Sequence, residues 1–107
     1  MLISDPDADP DKILAVNFTT WKPRHDPACI VNIGEHPFIR HQTCVNYREA
    51  WVFSIQQLRS LEASGILAWR EPLSPVLLDK IRQRAGESEL AIDYLNLLVE
   101  QGLLRTD

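Results

Sequence analysis

The period of the hydrophobic pattern changes at Ser54. Before it, apolar residues come in short runs rich in β-branched and aromatic side chains: KILAVNFTTW (12–21), ACIVNI (28–33) and QTCVNYREAWVF (42–53). These read as strands, the last as one long bent strand or two short ones. After Ser54 the apolar spacing becomes helical. Ser54 with Gln57 three residues on is a capping-box pattern that satisfies orphan amides at a helix start. Ile55, Leu58 and Leu61 supply the stripe, and Gly65 closes the helix. A second helix starts at Ser74-Pro75, an N-cap followed by proline at the first helical position. It buries Val76, Leu77 or Leu78, and Ile81, and stops at Gly86. A third runs from about Ser88 to Glu100 with Leu90, Tyr94, Leu97 and Leu98 inward, then Gly102. Strands over about 2–53 followed by helices over about 54–102 predict one α+β domain spanning 1–107. The sheet is expected to be a small antiparallel barrel or an antiparallel layer.

The breakers fall between these segments. WKPRHDPAC (21–29) holds two prolines and reads as a loop. GEHPFIRH (34–41) cannot be a helix interior, because Pro37 lacks an amide hydrogen and holds His36 extended. At the front, MLIS resembles the tail of a strand, followed by the acidic turn DPDADPD.

At 107 residues and 45% apolar composition the chain suits a single hydrophobic core. No apolar run is long enough to span a bilayer, so no membrane partner is expected. The N-terminus is acidic where a secretory signal is basic and then apolar, so the expected location is cytoplasmic. Net charge is −4, and Asp5, Asp7, Asp9 and Asp11 account for all of it, leaving a neutral body. Lys22, Arg24, Arg40 and all three histidines fall between positions 22 and 41, either a local cationic patch or a solvated face of mixed charge. Cys29 and Cys44 lie in predicted strands with no C-x-x-C spacing, as suits reduced, buried thiols, although a disulfide is geometrically conceivable.

GEHPFIRH carries the groups with most chemical range. Metal-free RNA cleavage needs a base for the ribose 2′-hydroxyl, an acid for the leaving oxygen and a cation for the crowded phosphorane. His36, His41 and Arg40 include all three types; the plainer reading packs His36 in the turn and leaves the other two in solvent. Thr19 and Thr20, at a strand end, either bind a phosphate oxygen or cap the following turn. Zinc held by His25, Cys29, His36, His41 and Cys44 fits no finger or ribbon spacing, so no metal is assigned. Trp21, Tyr47, Trp51 and Trp69 could stack on bases or pack in a core or interface. There is no glycine-rich phosphate loop, G-x-S-x-G or paired-carboxylate motif.

A strand ending in Thr19-Thr20, the turn GEHPFI, the strand TCVNY, then SIQQL and a helix opening LSPVLL together resemble the MazF/PemK-like toxin family over about residues 2–85. Leu2-Ile3-Ser4-Asp5 echoes a further strand of that family, whose catalytic arginine would fall ahead of Met1. The resemblance implies an SH3-like antiparallel β-barrel with C-terminal helices. It also implies a homodimer, a cognate antitoxin partner, and metal-independent cleavage of single-stranded RNA in a type II toxin-antitoxin system, without cofactor. Thr19 or Thr20 would hold the scissile phosphate, with Arg40, His36 or His41 supplying cation and proton carriers and Lys22, Arg24 and His25 lining the RNA path. The competing expectation is a non-catalytic module for protein–protein interaction, or an inactive toxin relative, that pairs through an exposed strand edge and buries Phe38, Trp21 or Trp51. A regulator that binds nucleic acid without cutting it is a third.

Overall fold

A computed structural model describes residues 1–67 and 72–105. Trp69 lies outside the described residues. Three strands, β1 (Ile13–Thr20), β2 (Ile30–Val31) and β3 (Thr43–Phe53), form one antiparallel sheet in the order β1-β3-β2. Three helices follow: α1 (Ile55–Ala63), α2 (Pro75–Arg84) and α3 (Ile92–Glu100), with a 3-10 turn at Ala85–Glu87. The expected α+β order therefore stands, while the expected barrel does not.

The sheet is open. Closing a barrel requires each strand to find a partner on both sides. Here β2 is two residues long and meets β3 only at Cys44 and Thr43. From Asn46 onward β3 has β1 on one side and no strand among the described residues on the other. The cause is local: Pro27 precedes β2 and the turn at Asn32–Glu35 follows it, with Glu35 N–H donating to the Asn32 carbonyl, so β2 cannot lengthen. A bulge adds to this. Between the pairs Ala15↔Trp51 and Asn17↔Asn46, β1 advances two residues and β3 five, so three extra residues of β3 loop out and turn the strand. The SH3-like barrel, and with it the likeness to the MazF/PemK-like toxins, is corrected to an open three-stranded sheet beside helices.

Met1–Ile3 runs antiparallel to β1, bridged at Leu2↔Ala15. Ile3 N–H donates to the Leu14 carbonyl and Val16 N–H to that of Met1.

One face of the sheet, with Leu14, Val16, Val45 and Tyr47, packs against Leu77 and Ile81 of α2, Leu97 and Leu98 of α3, Leu90 and Leu104. Tyr47 Oη donates to the Ile81 carbonyl at 2.6 Å, tying sheet to helix in the core. Both expected capping residues work: Ser54 and Gln57 complete the reciprocal box, and the Ser74 hydroxyl accepts from Leu77 N–H. Gly65 and Gly102 take positive φ after their helices. The third helix starts later than expected, because Ser88 uses its hydroxyl to donate to the Ala85 carbonyl and accept from Leu90 N–H, which makes a turn instead of a cap. Of the expected α2 stripe, Val76 points to solvent while Leu77 and Ile81 are buried. Cys29 and Cys44 are free and buried. Val45 N–H donates to the Cys29 carbonyl while Cys44 pairs with Ile30, so strand alternation turns Cys44 away from the core face that holds Val45. No described helix is long and apolar enough to cross a membrane.

Candidate functional site

The GEHPFIRH bend is fixed from several sides. Gly34 sits at φ +98°, open to glycine without strain. Glu35 accepts from Asn32 N–H at 2.7 Å and from Lys80 Nζ at 3.0 Å. Those contacts, the backbone amide first and the Lys80 ammonium second, hold its carboxyl below the usual range. Lys80 Nζ also donates to the Ile30 carbonyl at 2.7 Å, fastening the bend and β2 to α2.

This bend divides the expected catalytic groups. His36 is buried, its Nδ1 accepting from Phe38 N–H at 3.1 Å, and its Nε2 has no partner. Arg40 and His41 are exposed. Thr20, at the end of β1, reaches His41: Thr20 Oγ1 and His41 Nε2 are 2.9 Å apart, a solvent-exposed hydrogen bond. A hydroxyl and an imidazole therefore meet, with Trp21 N–H donating to the Gln42 carbonyl beside them, but His36 faces the interior instead of joining them. Thr19 points to the other side of β1. Together with Arg24 and His25 it lines a small cleft, while Lys22 is exposed and lines neither. No group of three or more His, Cys, Asp and Glu side chains placed to hold a metal occurs among the described residues.

A second feature assembles at the opposite end of β1. Register aligns Leu2, Ala15 and Trp51 in one row on the face turned from the core. Trp51 is 51% exposed. It stands on the half of β3 whose outer edge pairs with no strand among the described residues, two residues before Phe53. Where β3 passes into α1, Phe53, Ser54, Gln57, Ser60 and Leu61 line an open groove of about 530 Å³. The acidic turn reaches the same corner, because Ile55 N–H donates to the Pro10 carbonyl at 2.7 Å. In that turn Asp5 and Asp9 accept from the amides of Asp7 and Asp11. None of the four carboxylates forms an ion pair among the described residues.

Trp51 is visible in the sequence as an aromatic between Ala50 and Val52. The approach of the acidic turn to the end of its strand is not, since the long-range pairing Ile13↔Phe53 and the bond from Ile55 N–H to the Pro10 carbonyl create it.

Compared with known protein families, curated proteins and solved structures, the chain matches none. The toxin-antitoxin assignment, which stood on the resemblance to a barrel family, is therefore withdrawn together with the barrel.

Proposed function

We propose that the protein is a non-catalytic interaction module that takes an extended, basic segment of a partner protein along the open edge of β3 at Trp51. The observations that carry this reading are a strand edge unpaired among the described residues, a half-exposed tryptophan on that strand, and an acidic turn whose Pro10 carbonyl accepts from Ile55 N–H just beyond the strand's end. Main-chain pairing at an edge supplies affinity without demanding sequence, and alternate side chains supply selectivity. Trp51 offers a rigid apolar anchor of the kind that dominates interface energies. The acidic turn selects for Lys and Arg in the incoming chain and speeds encounter. A second copy of this protein carries the same acidic turn and matches the corner less well in charge.

The test is a fluorescence-anisotropy titration with two labelled peptides of identical alternating apolar pattern, one carrying Lys at its polar positions and one carrying Glu. The reading expects the Lys peptide to bind and the Glu peptide not to. Trp51→Ala should weaken the Lys peptide by roughly thirtyfold, the effect of losing a hot-spot aromatic. Binding should also fall as salt rises. Equal binding of the two peptides, or an unchanged affinity in Trp51→Ala, refutes it. Concentration-dependent self-association without peptide binding would assign the corner to a second copy.

One observation favours a second reading, metal-independent RNA cleavage: the Thr20–His41 hydrogen bond, flanked by Arg40. In it His41 exchanges protons with the ribose hydroxyl while Arg40 meets the phosphate. Cleavage of single-stranded RNA that disappears in both His41→Ala and Arg40→Ala would support it, and absence of cleavage by the unmodified protein removes it.

A further inference from the structure

The cleft lined by Thr19 gathers several polar groups that the protein itself leaves unsatisfied. We infer that it binds a small oxyanion of the phosphate class, free or as the terminal group of a phosphomonoester. Its walls come from the end of β1, the β1–β2 loop, the middle of β3 and the link between α2 and α3, and it encloses about 100 Å³. That is room for about three water molecules, or one phosphoryl-sized group with any ester substituent projecting to solvent.

The acids at this cleft are already committed. Asp26 accepts from Ala28 N–H through one oxygen and from Glu89 N–H through the other, both at 2.9 Å, which pins the loop to the α2–α3 link. Glu89 is held by Arg48 at 3.2 Å. What remains is donors. The hydroxyl of Thr19, the guanidinium of Arg24 and the side-chain amide of Asn46 form no hydrogen bond or ion pair among the described residues, and all three line the cleft. The buried Nδ1 of His25, which also lines it, has no partner. Buried polar atoms are ordinarily paired, so an orphan beside three uncommitted donors marks a place where a ligand completes the bonding. With its carboxylates occupied, the cleft suits an acceptor-rich anion, and Arg24 can meet two oxygens of one phosphoryl group with its planar fork. The cleft meets β3 at residues 44–48 and does not include Trp51, so this site stands apart from the interaction corner.

The experiment is a 1H–15N NMR titration of the full chain with inorganic phosphate, ionic strength held constant with chloride. Saturable shifts at the amides of Thr19, Arg24 and Asn46 are expected. Arg24→Ala should raise the dissociation constant by about tenfold or more, the loss of a charge-assisted donor. Thr19→Val, which preserves shape, should raise it by about threefold. Lys22→Ala removes an exposed cation outside the cleft and should leave binding unchanged. A 5′-mononucleotide used as a second probe separates the two sources. Tighter binding than phosphate assigns an ester, and weaker or equal binding assigns the free ion. Shifts that never saturate, or an equal loss in Arg24→Ala and Lys22→Ala, would reduce the effect to diffuse charge attraction and overturn the proposal. Should Arg24→Ala disturb the fold, Thr19→Val against Lys22→Ala still decides.

Discussion

Replacing Tyr47 with phenylalanine removes one oxygen atom and tests how the sheet is joined to the helices. Tyr47 is 1% exposed, and its hydroxyl donates to the Ile81 carbonyl at 2.6 Å. Ile81 begins the last turn of α2, where carbonyls run out of helical amide partners. The amide that would serve it, that of Ala85, bonds to the Gln83 carbonyl instead. The phenol thus satisfies a buried carbonyl that the helix amide four residues on does not serve. Tyr47→Phe leaves that acceptor bare while conserving the packing of the ring. The expected loss is about 2 kcal/mol, within the 1–3 kcal/mol cost of an unsatisfied buried group, which is roughly 8–16 °C in melting temperature for a domain of this size. Urea denaturation followed by circular dichroism reads it directly, with an unchanged slope confirming that only stability has moved. A loss below about 0.5 kcal/mol would show that water or a relaxed helix end replaces the phenol, and that this bond does not join the layers.

Burial pushes both the Cys29 thiol and the Tyr47 phenol above their ordinary values, desolvation being the largest cause for each. The unfolded chain therefore loses these protons first as pH rises, so stability present below about pH 9 should decline above it. Urea midpoints measured in reducing buffer from pH 7 to 10.5 check this, and Tyr47→Phe should flatten the upper part of the decline. Lys80→Ala should cost about 1 kcal/mol, since its ammonium bonds the Ile30 carbonyl and Glu35 at a partly exposed site, and amide exchange should quicken across residues 30–39. An unchanged exchange pattern would show that the bend holds itself. Ser54→Ala should cost about 1 kcal/mol by removing the α1 capping box, again read from denaturation midpoints.

The parts of this fold that are legible in the sequence are those set by neighbours. Ser54 with Gln57, and Ser74 with Pro75, announce helix starts because the bonds they make span three residues. The three strand segments are likewise readable from composition and breakers. Whether a sheet closes depends on something else, the length of pairing each strand achieves. β2 shrinks to Ile30–Val31 between two turns, and β3 spends three residues in a bulge that no local pattern marks. The strand order read from words such as GEHPFI and LSPVLL could not supply that. The direction of His36 is a similar case. Pro37 fixes the backbone, but the inward turn of the ring follows from its bond to Phe38 N–H. Thr20 and His41 do meet, because the antiparallel pairing Thr20↔Thr43 brings the strand end to the bend. Asn46, Arg48 and Glu89 complete the cleft around Thr19 and Arg24 only once the sheet and the α2–α3 link are in place, so nothing in their local sequence singles them out.

The central claim, that the outer edge of β3 accepts a basic strand, is tested most directly by hydrogen exchange on the protein with and without the Lys-bearing peptide. The account predicts new protection confined to amides of residues 50–53, with smaller changes in the acidic turn at 5–11, and none at Thr20 or His41. Protection centred on the Thr20–His41 end, or spread evenly over the chain, would contradict it.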